Sequence, residues 1–240
     1  MSKFKDVLRK IVASLPIALT QNIAYDKQTQ EIMKLALRPN SNCIDIGCHK
    51  GEVLEQILEL APQGQHFGFE PIPQFYQYLT TKFSKNCNFY QVALSDKNGE
   101  VEFNYVVSNP AYSGIEQREY PKEEEINKIT VKTQRLDEII PQGVFIDLIK
   151  IDVEGAEFQV LKGATELIKR CKPLIVFEHG LGAADKYGTT PDQVYDLLVG
   201  KCGMQLGTLK GWLKQQSALS KNEFESQFNQ KVNYYFIAFP

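Results

Sequence analysis

The sequence predicts one α/β domain built on an open, mainly parallel sheet with helices on both faces. From residue 42 onward, short apolar runs of strand length alternate with helical patterns, which is the order of βαβ units. A turn with two glycines, Gly47 and Gly51, joins the first of these runs to a helix. The 240 residues suffice for one such domain with a sizeable core. No internal repeat or linker divides the chain, so we predict a single globular unit.

Two amphipathic helices are predicted ahead of the first strand. Residues 2–15 and 25–37 carry apolar side chains at helical spacing, and Pro39 ends the second helix. Because they precede the sheet, these helices must lie across one of its faces or edges. We therefore predict a helical cap over residues 1–40 and the α/β unit over residues 41–240. The alternative role for the cap is a lid over a bound ligand.

The turn after the first strand has the features of a ligand site. Residues 42–46 form the strand, Asp45 lies near its end, and Gly47 and Gly51 follow four residues apart. Such a turn lies outside the carboxyl ends of the strands, where open α/β sheets bind their ligands. Glycine has no Cβ, so positive φ costs little there and a ligand can approach the backbone. Asp45 can accept hydrogen bonds from a ligand ammonium group or from the turn itself.

Two more parallel strands are predicted, at residues 66–70 and 87–92, and a helix that begins near Pro73 lies between them. The first of these strands ends in Glu70. A carboxylate at that place can accept hydrogen bonds from both ribose hydroxyls of an adenosine. This geometry serves S-adenosylmethionine and NAD equally, so Glu70 alone does not identify the cofactor.

The alternation of strands and helices changes after the third strand. Residues 99–107 and 129–133 alternate as strands, and the first of them follows a hairpin-type turn. The segment 108–128 between them is predicted to be an inserted loop. A loop of that length within a compact domain is usually functional or disordered. We expect this loop to help select the substrate.

The fourth and fifth predicted strands, residues 145–151 and 173–177, also end in acids. Further strands are predicted at residues 204–209 and 232–239. The carboxyl ends of parallel strands meet at one edge of an open sheet, so the acids at these ends should border a common site. The alternative for each acid is a role as a helix N-cap. The acids in question are Asp45, Glu70, Asp152 with the nearby Glu154, and Glu178.

Composition narrows the class of protein and its partners. The net charge of −2 provides no electrostatic footprint for nucleic acid. The five cysteines are odd in number and form no CxxC pair, which argues against a disulfide framework or a zinc site and favours a cytoplasmic protein with reduced thiols. No apolar run reaches the roughly 20 residues of a membrane span. We therefore predict neither a nucleic-acid partner nor a transmembrane segment.

The spacing of the two glycines separates the two cofactors. A dinucleotide fingerprint places glycines at positions i, i+2 and i+5, whereas Gly47 and Gly51 are four residues apart. An acid, a glycine, three residues and a second glycine resemble motif I of class I S-adenosylmethionine-dependent methyltransferases. Two alternatives stay open: a nucleotide-dependent oxidoreductase on a similar sheet, and a binding protein that has the fold without turnover.

Five ordered blocks of the chain together resemble the FkbM family. The most distinctive is residues 149–157, with Asp152-Val153-Glu154-Gly155 at its centre. The resemblance covers about residues 42–180 and the final strand. It implies a Rossmann-like class I methyltransferase fold with a seven-stranded sheet, an antiparallel seventh strand, S-adenosyl-L-methionine as cofactor and, usually, O-methylation. The other blocks are residues 43–47, 69–71, 92–96 and 133–138.

The resemblance also implies roles for individual residues around the cofactor. Glu70 would hold the ribose, and Asp152 would lie near the methionine end or the acceptor. His49 stands where the family commonly shows Asn, so a side-chain contact at that position would differ. The methionine part would be lined by Asp45, Gly47, Gly51 and the intervening Cys48 and His49, and the adenine would be flanked by Ala93, Leu94 and Ser95.

Methyl transfer to a hydroxyl needs a base within hydrogen-bond reach of the acceptor. His179 is the first candidate, because its unperturbed pKa suits neutral pH; the alternative is a histidine bonded to local backbone. Asp152 and Glu154 are the other candidates, and together they could instead bind a divalent cation that lowers the pKa of the hydroxyl. The spacing shows no compelling metal cluster, so we predict no metal ligand. The predicted acceptor is a hydroxyl of a small molecule or glycan, and the oligomeric state does not follow from the sequence.

Overall fold

The computed structural model of this chain describes residues 20–83, 87–118, 120 and 123–240. The helix predicted at residues 2–15 lies outside these ranges. The strands are β1 (Cys43–Ile46), β2 (His66–Phe69), β3 (Cys87–Tyr90), β4 (Ala93–Leu94), β5 (Gly99–Val106), β6 (Ile126–Gln134), β7 (Leu148–Ile151), β8 (Leu174–Glu178), β9 (Gln205–Thr208) and β10 (Tyr235–Phe239). The α-helices are α1 (Gln21–Ala36), α2 (Glu52–Leu60), α3 (Pro73–Phe83), α4 (Leu136–Ile139), α5 (Glu157–Gly163), α6 (Thr165–Cys171), α7 (Pro191–Tyr195), α8 (Leu209–Leu213) and α9 (Lys221–Asn229).

The main sheet has seven strands in the order β3-β2-β1-β7-β8-β10-β9. Neighbouring strands within this sheet are parallel, except that β10 is antiparallel to both β8 and β9. This topology confirms the predicted class I fold with an antiparallel seventh strand. The chain runs from β1 outward to β3 and then resumes at β7 on the other side of β1. Such a change of direction opens a crevice between the carboxyl ends of the two central strands, β1 and β7.

The inserted segment forms a second, three-stranded sheet in the order β4-β6-β5. Strands β5 and β6 are the predicted antiparallel pair, but β6 begins at Ile126, which shortens the predicted loop to residues 107–125. The loop is held on its own hairpin, because Asn104 and Gly114 form an antiparallel bridge. Two apolar side chains of the hairpin, Phe103 and Val131, belong to the same buried cluster as residues at the start of α3. The hairpin is therefore anchored beside the carboxyl edge of the main sheet.

Different helices cover the two faces of the main sheet. On β8, Phe177 lies in the cluster that includes α5, α6 and α9, whereas Val176 lies in the cluster that includes α1. This division follows from the alternation of side chains along a strand. Tyr25 and Ile32 are the α1 residues that bury themselves on the second face. Helix α1 therefore caps a sheet face, as predicted for the second N-terminal helix. The division of the chain at residue 40 stays a prediction.

Two helices near the C-terminus, α8 and α9, were not predicted from the sequence. The sequence does carry a signal for α9, since Ser220 and Glu223 form a capping box at its start. In that box the Ser220 amide donates to Glu223 Oε2 at 2.7 Å. Phe224 and Phe228 follow at a spacing of four and are both buried. The box and the spacing together are the pattern of a short amphipathic helix.

Two findings bear on the predictions drawn from composition. All five cysteines are free thiols, and four of them are buried. Across the described ranges, none of the helices combines the length and the apolar character that crossing a membrane requires.

Candidate active site

A cavity of about 840 Å³ lies at the carboxyl ends of β1, β2 and β7. Its walls come from the glycine turn, the segments after β2 and β7, the inserted hairpin with its loop, and one side of α1. The N-terminal helix therefore borders the cavity as well as capping the sheet. Nine of the predicted site residues line this space: Asp45, Gly47, Cys48, His49, Glu70, Ala93, Leu94, Asp152 and Glu154.

Gly47 and Gly51 give the turn its shape through contacts with the protein itself. Gly47 has a φ of +83°, and a Cβ there would lie 1.9 Å from the carbonyl oxygen of Asp152. Gly51 has a φ of +78° and directly precedes α2, and a Cβ there would lie 2.6 Å from the Phe83 ring. We predicted glycines that admit a ligand. The structure shows that close approach of β7 and α3 also requires them.

Asp45 is buried at the bottom of the turn, with 3% of its surface exposed. Burial raises the pKa of its carboxyl to about 6, and the ammonium of Lys150 opposes that shift. The neighbouring Cys48 thiol donates to the Asp45 carbonyl oxygen at 3.1 Å. Burial also raises the pKa of the Cys48 thiol well above its ordinary value, so this cysteine acts as a small residue that fits the turn.

Glu70 connects the end of β2 to the glycine turn. Its Oε2 accepts from the His49 amide at 2.8 Å and its Oε1 from the Ile72 amide at 2.9 Å. Burial raises the pKa of this carboxyl to about 7, although both hydrogen bonds lower it. A carboxylate oxygen can accept more than one hydrogen bond, so Glu70 keeps acceptor capacity for a ligand hydroxyl.

His49 follows in the turn with a left-handed φ of +49°. Its ring packs 4.6 Å from the ring of Phe75, measured between centroids. Its Nε2 is buried and has no hydrogen-bond partner among the described residues. A buried polar atom without a partner is costly, and this one belongs to a residue that lines the cavity. A ligand polar group there would satisfy it.

Asp152 forms the other side of the crevice and is held by two donors. Its Oδ2 accepts from the Tyr235 hydroxyl at 2.6 Å and from Lys150 Nζ at 3.1 Å. Lys150 and Tyr235 both line the cavity, and neither was predicted as a site residue. The sequence does carry a signal for Lys150, because a charged residue interrupts the apolar strand 148–151. Tyr235 carries no such signal, since an aromatic residue in a strand is ordinary.

Glu154 and the inserted loop meet at the outer end of the cavity. Arg118 of that loop forms an ion pair with Glu154, and its guanidinium lies 5.2 Å from the centroid of the Tyr112 ring. Burial raises the pKa of Glu154, and Arg118 opposes this shift. A second contact fixes the loop, because the Glu116 amide donates to the Tyr187 hydroxyl oxygen at 2.9 Å. The loop thus reaches the residues that follow β7, and Arg118 is a further site residue that was not predicted.

Glu157, the first residue of α5, shapes the turn that carries Asp152. Its Oε1 accepts from the amides of Val153 at 3.0 Å and Gly155 at 3.2 Å. Burial raises the pKa of Glu157 to about 7. The pKa of Glu178, at the end of β8, is also raised, first by burial and then by Asp152. Glu178 was expected to border the site, but it does not line the cavity and pairs with Tyr235 of β10 in the sheet.

Three predicted site residues lie outside the cavity wall, namely Gly51, Ser95 and His179. Gly51 contacts α3, as described above, and the Ser95 amide donates to the Gln134 carbonyl oxygen at 2.9 Å. His179 packs against α9, with its ring 4.6 Å from that of Phe228. The cause is alternation, because His179 follows Phe177 on one face whereas Glu178 faces the side of Asp152. The structure therefore does not bring His179 to the predicted acceptor site.

The pKa of His179 also argues against a role as the base. Burial lowers the pKa of its imidazole to about 4, so the ring is neutral at neutral pH. Its backbone amide donates to the Tyr234 carbonyl oxygen at 2.7 Å. The ring Nε2 is buried without a hydrogen-bond partner among the described residues, so the structure does not show the alternative, a ring bonded to local backbone, at that atom.

The divalent-cation alternative finds no site in the part of the chain that the structure describes. There, no group of three or more His, Cys, Asp or Glu side chains is arranged to hold a metal ion. The two acids considered for that role are already engaged with cationic side chains. Asp152 contacts Lys150, and Glu154 contacts Arg118.

Comparison with known proteins identifies related sequences. Residues 45–206 match the family model described as the Methyltransferase FkbM domain. The 2-O-methyltransferase NoeI of Sinorhizobium fredii (strain NBRC 101917 / NGR234) is 27% identical over 192 residues, which cover 72% of this chain and 72% of that protein. The Methyltransferase sdnD of Sordaria araneosa is 28% identical over 162 residues, which cover 54% of this chain and 62% of that protein.

A solved structure shares the fold. The crystal structure of Methyltransferase FkbM from Methylobacillus flagellatus KT superposes with a TM-score of 0.54 at 15% sequence identity. The match covers 93% of this chain and 51% of that chain, so this chain spans about half the length of the crystallised protein. At this level of identity the likeness supports the fold alone.

Proposed function

This chain belongs to the FkbM methyltransferase family, and we propose that it transfers the methyl group of S-adenosylmethionine to a hydroxyl of a glycan or another small molecule. As a family member it is a methyltransferase, which decides against the oxidoreductase alternative. The observation that carries the proposal is the cavity at the crevice of the sheet, where Asp45, Glu70 and Asp152 meet. The name 2-O-methyltransferase, given to one relative, supports oxygen as the acceptor atom.

The cavity fits the cofactor in both polarity and shape. Its volume of about 840 Å³ is in the range of small-molecule sites. Glu70 has acceptor capacity for ribose hydroxyls, and the unpartnered Nε2 of His49 needs a polar partner. Apolar side chains for an aromatic base come from the segments after β2 and β3 and from the hairpin, and they include Ile72, Leu94 and Phe103.

Asp152 is the residue that we propose as the base. When bound, S-adenosylmethionine would supply an electrophilic methyl group to the acceptor oxygen, and the proton of that hydroxyl would pass to Asp152. Tyr235 and Lys150 both bond to Oδ2 of Asp152, so its Oδ1 is the oxygen that takes this proton. Glu154 is already committed to Arg118, which makes it the weaker candidate. His179 does not line the cavity, and its ring packs against Phe228 instead.

Two further parts of the proposal concern the surroundings of the enzyme. The free thiols of all five cysteines support the cytoplasmic location predicted from the sequence. The inserted loop, which contacts Glu154 through Arg118, supports the expectation that residues 107–125 help to choose the acceptor.

Binding of S-adenosylhomocysteine, the demethylated product, tests the cofactor. We expect it to raise the melting temperature, because a ligand that binds only the native state stabilises it by mass action. At 100 times its dissociation constant the gain is about 2.7 kcal/mol, which corresponds to about 5–10 °C for a chain of this size. NAD at the same concentration is the control and should leave the melting temperature unchanged. A shift with NAD and none with S-adenosylhomocysteine would overturn the proposal.

Substitution of Glu70 tests its ribose role. Because Glu70 is buried and bonded to two amides, Glu70→Gln is preferable to alanine: glutamine keeps the length of the side chain and one of the two acceptor oxygens, whereas alanine would remove both. We expect Glu70→Gln to weaken S-adenosylhomocysteine binding by roughly 1.5–3 kcal/mol, since a charged acceptor is lost. Titration calorimetry measures the effect, and Glu59→Gln, on the exposed side of α2, is the matched control. Unchanged affinity in a folded Glu70→Gln protein would leave Glu70 as a purely structural acid.

A further inference from the structure

Lys150 is a buried cation in the middle of the main sheet. It lies on the central strand β7, and only 5% of its surface is exposed. Lysine is almost never fully buried unless it is paired, because removing an ammonium from water costs several kcal/mol. A lysine at this position must therefore be offset by specific partners.

Its partners are all residues of the cavity wall. Lys150 Nζ lies 3.1 Å from Asp152 Oδ2 and 3.5 Å from the Tyr235 hydroxyl oxygen. It also lies 4.8 Å from the centroid of the Tyr235 ring, within range of a cation–π interaction. The Tyr235 hydroxyl donates to the same oxygen of Asp152 at 2.6 Å. Two donors on one oxygen fix the orientation of the Asp152 carboxylate.

On the other side of the crevice, Lys150 faces Asp45. The two residues are direct partners in the parallel pairing of β1 and β7, so their side chains leave the sheet on the same face. The buried Asp45 carboxyl has a pKa of about 6, and the ammonium of Lys150 is the main influence that lowers it. The same cation therefore acts on one acid at each side of the crevice.

We propose that Lys150 is a positioning residue that keeps Asp45 charged and Asp152 oriented, so that one buried ammonium serves both the cofactor side and the acceptor side of the site. The proposal rests on the proposed function, in which Asp45 accepts from the ammonium of the cofactor's methionine part and Asp152 takes the acceptor proton. Within this trio, the two carboxylates outnumber the one ammonium by one negative charge, which suits a ligand cation beside Asp45.

Other charged groups face Asp45, and most of them oppose its ionisation. Asp152 and Glu52 raise its pKa, whereas a hydrogen bond from Cys48 lowers it. Because the acids outnumber the cations, loss of Lys150 should leave Asp45 mainly protonated at neutral pH. The remaining groups around the cavity near Asp45 are Glu70 after β2, Tyr235 on β10, and Asp26 and Lys27 on α1.

The first experiment measures S-adenosylhomocysteine binding by calorimetry from about pH 5 to about pH 9. Binding that needs ionised Asp45 is retained above the pKa of Asp45 and lost below it. In Lys150→Met, which keeps an unbranched side chain of similar length, the midpoint of this loss should rise by about 1–3 pH units, the usual effect of one nearby opposite charge. In Lys150→Arg, which keeps the positive charge, the midpoint should rise less than in Lys150→Met. Lys169→Met, which removes an exposed lysine of α6 that pairs only with the surface residue Glu166 among the ion pairs of the described residues, is the control, and its midpoint should stay that of the wild type.

The second experiment measures thermal unfolding of the same variants without ligand. An acid whose pKa is raised in the folded state binds its proton more tightly there, so stability is gained as pH falls through that pKa. Lys150→Met should therefore be less stable than the wild type at neutral pH and should recover on acidification. If Lys150→Met does not fold at neutral pH, folding of the double variant Lys150→Met with Asp45→Asn is measured instead. Recovery of folding supports the charge role, and no recovery overturns it.

The outcomes separate this inference from the proposed function. If the wild-type protein does not bind S-adenosylhomocysteine, the proposed function is contradicted, while the unfolding experiment still tests the role of Lys150. A wild-type protein that binds, together with a folded Lys150→Met whose binding midpoint and pH-dependent stability equal those of the wild type, overturns the inference alone.

Discussion

Replacing Asp152 with asparagine is expected to lower turnover by about 100- to 10,000-fold, the usual contribution of general acid–base catalysis. The amide keeps the size of the carboxylate and one oxygen for the Tyr235 hydroxyl, but it cannot take the acceptor proton. Binding of S-adenosylhomocysteine should remain measurable, because Glu70 and the glycine turn are intact. Turnover is measured with a methyl-labelled donor and the best acceptor from a screen of glycans and small hydroxyl compounds.

A control substitution on the surface separates loss of the proposed base from the general effect of removing a carboxylate. Asp196→Asn is the matched control, since Asp196 makes only an exposed ion pair with Lys221, which contributes little to stability. Full turnover in Asp152→Asn would exclude Asp152 as the base and leave alignment of the substrates as the source of catalysis.

Replacing Gly47 with alanine is expected to have the largest effect on the fold. The new Cβ would lie 1.9 Å from the Asp152 carbonyl oxygen. That oxygen cannot easily retreat, because the Asp152 amide is itself bonded to the Ile46 carbonyl oxygen at 3.0 Å. Overpacking costs about 1–3 kcal/mol and a left-handed φ at alanine about 1–2 kcal/mol. Together these terms predict a fall in the melting temperature of about 4–20 °C.

Two other glycines separate the causes of that fall. Gly182 has a φ of +101° and open space where a Cβ would lie, so Gly182→Ala measures the backbone strain alone. Gly143 has open space and no positive φ, so Gly143→Ala measures the general effect of a methyl group. The loss in Gly47→Ala should exceed both, and the substitution should also abolish S-adenosylhomocysteine binding because it distorts the glycine turn that lines the cavity. A loss equal to that of Gly182→Ala would contradict the contact with β7.

The sheet and its ligand edge could be read from local sequence patterns. The apolar runs that became β1, β2, β7 and β8 each end at or next to an acid, and all four are strands of the seven-stranded sheet. Local patterns suffice here because strand formation depends on side-chain alternation and on turn residues close in sequence. Two C-terminal helices were missed, although the capping box of α9 is a local signal.

The direction of each side chain could not be read so reliably. His179 was placed at the acceptor because it follows a strand, yet one position along a strand moves a side chain to the opposite face. The structure buries His179 against Phe228, and burial lowers its pKa to about 4. The choice between these faces depends on the residue at which the strand pairing ends, and sequence patterns locate that residue only to within a few positions.

Sequence alone determined that this protein is an α/β methyltransferase of the FkbM family with a glycine turn and acids at the carboxyl edge of its sheet. Tertiary structure alone decided which partner each acid has. Asp152 is held by Tyr235, which lies 83 residues away, and Glu154 by Arg118 from the inserted loop, 36 residues away. The free energies of ionisation of these groups depend on burial and on charges within a few ångströms. Such distances exist only after packing brings distant segments together, which is why Lys150, Tyr235 and Arg118 emerged as site residues only in the folded chain.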